Sequence, residues 1–169
     1  MTLLPGSIRQ IGYVVTHLDR AVAGWVDIGV GPWFVMRGLP VHALYRGEPC
    51  EITLSLALAN SGEMQIEVIQ QQDDTPSIFS EFLAAGREGF HQLAYWTEDF
   101  AATMREVEEA GWPVVWLGGE NFGVRFAYVE PPNSPATVVE VSELTDTTAG
   151  MAKFVRGGRR AGTAATRSA

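Results

Sequence analysis

The hexapeptide Gln10-Ile11-Gly12-Tyr13-Val14-Val15 is written a second time, with the same chemistry, as Gln92-Leu93-Ala94-Tyr95-Trp96-Thr97. Reading on at the same offset of 82 residues, Leu18 falls on Phe100, Ala21 on Thr103, Val22 on Met104, Trp25 on Val107 and Gly29 on Gly111. A strand, a helix and the helix's terminating glycine therefore recur without a gap, the mark of a duplicated supersecondary unit. The closing segments recur as well: Gln65-Ile66-Glu67-Val68-Ile69 ends the first unit and Val138-Val139-Glu140-Val141-Ser142 the second, at an offset of 73. Each unit opens on a Gln and closes on a Glu.

The periodicities give each unit the order strand, helix, three strands. Residues 8 to 15 alternate, with Gln10, Gly12 and Val14 on one face and Ile11, Tyr13 and Val15 on the other, the face expected to carry the helices. From Leu18 the period changes to a helical stripe of Leu18, Ala21, Val22, Trp25 and Ile28, with His17 near its start as a cap variant and Gly29 at its end. Trp33 to Met36 predicts a second strand, Val41 to Cys50 a strand interrupted by a turn, and Glu51 to Ala59 a strictly alternating third. Asn60-Ser61-Gly62 turns the chain into Met64 to Gln70. The second unit repeats this from Phe90, with Asp99 capping its helix, a strand over Trp112 to Leu117, and a final hairpin of Val124 to Glu130 with Thr137 to Ser142.

This reading divides the chain into a first module over residues 1–72, a linker over 73–88 with a short helix from about Ser77 to Ala85, a second module over 89–145, and a tail over 146–169. Gly150 to Val155 is expected to add a helical turn or two to that tail, and the remainder, basic and rich in small residues, to be disordered.

Composition removes several function classes. With 46% apolar and 19% charged residues the chain reads as a soluble globular protein, and no apolar run is long enough to span a bilayer. The formal net charge of −8 opposes a general nucleic-acid surface, because phosphate binding needs clustered Lys and Arg. The start of the chain shows no secretion signal and there is one cysteine, Cys50, so a cytoplasmic setting is expected. Gly118 to Gly123 lacks the Lys-Ser or Lys-Thr of a phosphate loop, and no nucleophile elbow or Cys-x-x-Cys is present.

The doubled opening "IGYVV…LDRAV…W…GVGPW" and the closing "MQIEVIQ" and "TVVEVSE" resemble the vicinal oxygen chelate superfamily, the group of glyoxalases, methylmalonyl-CoA epimerases, extradiol dioxygenases and bleomycin-type resistance proteins. The resemblance covers residues 8 to 145. It implies an α+β fold of two repeated βαβββ modules whose curved mixed sheet encloses a cleft. It also implies that a divalent metal is held in that cleft by residues at the positions of Gln10, Glu67, Gln92 and Glu140. Family members usually place His at one or both first-strand positions, and here both are Gln. The nearby imidazole, His91, is one residue out of register and is expected to face away unless a bulge turns it inward.

An all-oxygen set of Gln and Glu suits Mg, Mn or Ca, with Co or Ni possible and zinc less suited, and an empty site in which the amides serve the carboxylates is the alternative. Glu67 and Glu140 are the candidate catalytic pair in either case. With a metal they support a glyoxalase- or epimerase-like isomerase or lyase that removes a proton beside a carbonyl; without one, the repelling pair divides into an acid and a base. A third class is a binding or resistance protein that sequesters an aromatic ligand. Trp96, Trp33, Phe122 and His42 are the candidate substrate contacts, and Arg46 and Arg125 are candidates for meeting a ligand carboxylate or phosphate. The expected partners are a small-molecule substrate and, because half-barrels expose sheet edges, a second copy in a homodimer.

Overall fold

The computed structural model describes residues 3–4 and 6–162, with side chains to residue 157. Eight strands form one closed barrel in which each unit contributes a contiguous half. The first half is β1 (Gln10–Val14), β2 (Phe34–Tyr45), β3 (Glu48–Ser61) and β4 (Met64–Gln71); the second is β5 (Gly89–Thr97), β6 (Val114–Gly118), β7 (Phe126–Val129) and β8 (Val138–Glu143). Around the barrel the order is β1-β4-β3-β2-β6-β7-β8-β5. In both halves the opening strand runs parallel to the closing one, β1 beside β4 and β5 beside β8, and all other pairings are antiparallel. The halves meet within one chain, through β1 with β5 and through β2 with β6. Closure removes the free sheet edges on which the homodimer expectation rested.

Helices α1 (Leu18–Asp27) and α3 (Phe100–Glu109) lie on the outer surface. Tyr13, Val15 and Val68 pack there with Leu18, Ala21, Val22 and Trp25, and the Tyr13 ring meets Trp25 edge-on at 5.1 Å. In the second half Tyr95, Val139 and Val141 take the same role against Phe100, Met104 and Val107. Both helices end alike. Gly29 (φ +86) and Gly111 (φ +69) sit in the left-handed region just past the last turn, and the amides of Val30 and Trp112 close back on Trp25 and Val107 at 3.0 and 3.1 Å.

The linker forms α2 (Ile78–Ala84). Ser77 caps it reciprocally: its hydroxyl accepts from the amides of Phe79 and Ser80, and the Ser80 hydroxyl accepts from the Ser77 amide at 2.8 Å. The helix buries Ile78, Phe79 and Phe82 against Val14, Ile69, Trp116 and Tyr128 inside the barrel. Removing the Phe79 side chain alone from water stabilises the fold by about 2 to 3 kcal/mol.

Two boundaries differ from the sequence-based expectation. The second strand does not stop at Met36 but runs to Tyr45, with its register shifted between Met36 and Leu39, because cross-strand pairing with β3 carries it past Gly38 and Pro40. More consequentially, the tail forms a 17-residue helix, α4 (Asp146–Gly162). The Thr145 and Thr148 side chains accept from each other's amides at its start. The helix then buries Ala152 and Val155, and Phe154 stacks on Phe34 at 4.5 Å. Arg156 reaches Glu63 at 2.7 Å. Tertiary contact supplies what the glycine-rich composition withholds. The disorder expected beyond Val155 gives way to helix as far as Gly162, and residues 163–169 lie outside the described residues. Among the described residues, no helix is long and apolar enough to cross a membrane.

Candidate active site

Strand pleat and barrel closure bring Gln10, Glu67, Gln92 and Glu140 to the inner face. Glu67 on β4 and Gln92 on β5 are both register partners of Gly12, which lies between them on β1. Across the molecule, Glu140 on β8 and Gln10 on β1 are both register partners of Ala94 on β5. The four side chains thus form two trios, each an acid and an amide flanking one small residue.

The first trio is bridged. The Gln92 amide nitrogen donates to Glu67 Oε2 at 3.2 Å and to the Tyr128 hydroxyl at 3.4 Å. It can do so only because Gly12 has no side chain: a Cβ at that position would stand 2.2 Å from the Gln92 amide. The second trio is not bridged. Gln10 donates instead to Gln65 Oε1 at 2.8 Å, and Glu140 takes a short bond, 2.5 Å, from the Ser142 hydroxyl on one oxygen while Oε2 is buried without a partner.

His91 is turned inward by the exception allowed for above. The pairing of β1 with β5 slips between Gly12 and Tyr13, whose partners are Gln92 and Phe90, so His91 is the extra residue of a bulge. Its ring is fully buried among Phe79, Phe82 and Tyr128, and Nδ1 meets the Gln92 carbonyl oxygen at 2.5 Å. With a carbonyl as partner, Nδ1 is the protonated nitrogen and donates. Burial holds the imidazole neutral, lowering its pKa to about 4.

The acids respond to burial in the opposite sense. Desolvation and the negative charge of Glu140 raise Glu67 to about 8, against the partial relief of the Gln92 hydrogen bond. Glu140 is raised too, by burial, with the Ser142 and Tyr128 hydroxyls and the Gln92 amide opposing. Neither acid is within ion-pair distance of a cation among the described residues. Near neutral pH the pair therefore shares one proton and carries one charge. Burial and both carboxylates keep Tyr128 well above its ordinary pKa, so it remains a phenol and a proton donor.

As placed, Gln92 does not fit a divalent ion. Gln92 spends its carbonyl oxygen on His91 and turns its NH2 toward the carboxylate, so it offers a donor where an ion needs a lone pair. Gln10 gives its NH2 to Gln65 and keeps its carbonyl oxygen. Among the described residues no group of three or more His, Cys, Asp or Glu is placed to hold a metal.

The carboxylates stand where two cavities adjoin. One, of about 270 Å³, is walled mainly by apolar side chains including Leu54, Ile69, Phe79 and Trp116, and also reaches Tyr128. The other, of about 150 Å³, holds Gln10, Gln65, Trp96 and Ser142, and both are bounded by Glu67, Glu140, Thr148 and Met151. Of the expected substrate contacts, Phe122 lines the larger cavity and Trp96 the smaller, where it also carries Arg9 over its ring at 5.0 Å. Trp33 and His42 lie elsewhere. Trp33 packs outside the barrel against Trp25 and donates to the Val30 carbonyl at 2.9 Å, and His42 is exposed on the outer face of β2 beside Glu51 at 3.5 Å. Both placements follow from strand alternation once β2 is seen to start at Phe34 and continue to Tyr45.

Tyr128, Gln65 and Ser142 join the site without having been singled out from the sequence. Gln65 and Ser142 were detectable, each two residues from a candidate Glu and so on its face. Tyr128 is the cross-strand partner of Glu140, which depends on the register of the last hairpin.

A duplicated βαβββ barrel with an acid-lined lumen defines a class of fold, and the comparisons name it. The family model described as the Glyoxalase/Bleomycin resistance protein/Dioxygenase superfamily matches residues 9–128. The chain belongs to that superfamily. Among solved structures it resembles methylmalonyl-CoA epimerase from Mycobacterium tuberculosis, at 20% identity and a TM-score of 0.62 over 88% of this chain and 94% of the other. A hypothetical protein from Bacillus halodurans C-125 superposes at 19% identity and a TM-score of 0.61, covering 83% and 95%. A methylmalonyl-CoA epimerase in complex with methylmalonyl-CoA and NH4+ does so at 17% and 0.60, covering 82% and 94%. No curated protein sequence matches the chain.

Proposed function

We propose that this chain is an isomerase of the epimerase kind, moving a proton at a carbon beside a carbonyl through Glu140 and Glu67 without a metal ion between them. The observation that carries the reading is the carboxylate pair, Glu140 buried and Glu67 half-buried, with one shared proton and no cation partner among the described residues, at the junction of two cavities. Glu140, charged, takes the α-proton from one side of the substrate. The electron pair of the broken C–H bond moves into an enolate, and the Tyr128 hydroxyl donates a hydrogen bond to its oxygen as charge develops. Glu67 returns its own proton to the same carbon from the other side. The pair ends with its proton exchanged, ready to act on the opposite stereoisomer.

Gln92 is the positioning group of this scheme, held by His91 on one side and holding Glu67 on the other. The resemblance to epimerases supports the type of proton transfer, and the acyl-CoA ligands of those proteins are not carried over with it.

The test is exchange of the α-proton of neutral α-substituted ketones in D2O, followed by NMR. Exchange that survives EDTA, gains nothing from added Mg²⁺ or Mn²⁺, and is lost in Glu140→Gln supports the reading. Exchange that requires an added metal ion overturns it.

A further inference from the structure

We infer that the larger chamber selects an uncharged, mostly hydrocarbon carbonyl compound of small size, and that α4 supplies one neutral wall of it. The inference rests on the epimerase reading for the reacting group and on separate observations for the rest of the ligand.

Charge is the first of these. The chamber already contains two carboxyl groups, and among the described residues that line it there is no Lys, Arg or His. The smaller cavity has none either. The two arginines best placed by sequence to meet an anion are spent elsewhere: Arg125 grips Glu143 through two hydrogen bonds, at 3.0 and 2.5 Å, and Arg46 pairs with Glu81 at 2.9 Å. Arg9 lies over Trp96 on the wall of the smaller cavity, but the larger chamber has no cation in its lining to offset a further negative charge brought in beside Glu140. A neutral ketone, ester or amide meets no such penalty, and its oxygen finds the Tyr128 hydroxyl.

Size and surface are the second. An apolar cavity of about 150 Å³ takes benzene, so one of about 270 Å³ takes roughly ten to twelve non-hydrogen atoms. Its walls offer side chains such as Leu39, Val41, Leu56 and Phe126, which match a hydrocarbon body.

The third is α4. Thr147, Thr148 and Met151 supply one wall of the larger chamber, and Thr148, Met151 and Ala152 one wall of the smaller. The helix is fixed there by buried Ala152 and Val155, by Phe154 on Phe34, and by Arg156 on Glu63. Met151 is exposed and borders both cavities, so a charge placed at this position would reach a ligand in either.

The experiment uses the full chain and two ring ketones of similar size, 2-butylcyclohexanone and 3-(2-oxocyclohexyl)propanoate, titrated at pH 7 by calorimetry. The neutral ketone is expected to bind at least tenfold more tightly. In Met151→Lys, whose new ammonium group sits on a solvent-facing helix position, the carboxylate is expected to gain at least fivefold in affinity, and added salt to reduce that gain. Equal or tighter binding of the carboxylate to the unaltered chain overturns the inference, as does binding of neither compound.

Exchange of the α-proton in D2O, recorded on the same samples, separates the two claims. Neutral ketone bound without exchange sustains the selectivity and overturns the epimerase reading. Exchange accompanied by a preference for the carboxylate does the reverse.

Discussion

The two halves of the barrel carry the same acid and amide, yet one pair is joined and the other is not. In Glu67, Gly12 and Gln92 the middle residue has no side chain, and the amide passes over it to the acid. In Glu140, Ala94 and Gln10 the middle residue is a fully buried alanine, and the amide turns to Gln65 instead. One methyl group thus separates a carboxyl restrained by an amide from one left with an open oxygen. The duplicated unit thereby sets two identical residues in unlike surroundings by differing at their shared neighbour.

Exchanging each carboxyl for its amide breaks the comparison most directly. Glu140→Gln is expected to lower α-proton exchange about 10³-fold and Glu67→Gln about 10²-fold, within the range for loss of a positioned acid or base. Both are expected to retain affinity for a neutral ketone, and equal losses in the two variants would contradict the assigned roles.

The small residues come next. Gly12→Ala drives a methyl group into the Gln92 amide and is expected to cost about 2 to 3 kcal/mol in urea denaturation, together with the bond to Glu67. Ala94→Gly is expected to cost about 1 kcal/mol, the flexibility penalty of a strand glycine.

Proton linkage provides a third probe. Glu67 is raised from 4.5 in the unfolded chain to about 8 in the fold, so the folded state binds more protons between those values. This contribution is fully present below pH 4.5 and is lost as pH rises through 8. His91 is lowered from 6.5 to about 4, so its contribution acts in the opposite direction, lost as pH falls from 6.5 toward 4. The window from pH 6.5 to 8 therefore separates the carboxyl pair from His91. Over that interval the melting temperature is expected to fall in the unaltered protein and to stay nearly level in Glu67→Gln, as followed by differential scanning fluorimetry.

The smallest effect lies at the outer helices. Asp99 caps α3 by accepting from the Ala102 amide at 2.9 Å, whereas His17 at the matching position of α1 makes no side-chain cap bond. The Leu18 amide there donates to the Gln70 side chain at 2.8 Å instead. Asp99→Ala is expected to cost about 1 kcal/mol and His17→Ala almost nothing, both measured by chemical denaturation.

Much of this architecture was legible because it depends on short-range periodicity. The alternation of Gln10, Gly12 and Val14 against Ile11, Tyr13 and Val15 distinguishes the inner from the outer face, and the repeat states it twice. His17 misled because a cap is satisfied by whatever side chain reaches it, here one 52 residues away in sequence. Trp33 and His42 misled because their directions depend on where β2 begins and how it shifts past Gly38. Tyr128 was hidden by the unknown register of the last hairpin, and α4 by a composition that is a weak helix former until the barrel offers a surface to bury against.

By itself the sequence determined the duplicated unit, the inward direction of two amides and two acids, and the glycines that end both outer helices, since each follows from local dihedral preference and a two- or four-residue period. The tertiary structure decided that the halves close on each other, that a bulge turns His91 inward, that Gly12 and Ala94 separate the two acids, and that α4 walls the chamber. These depend on atoms distant in the chain meeting at distances of a few ångströms, and no local pattern encodes such distances.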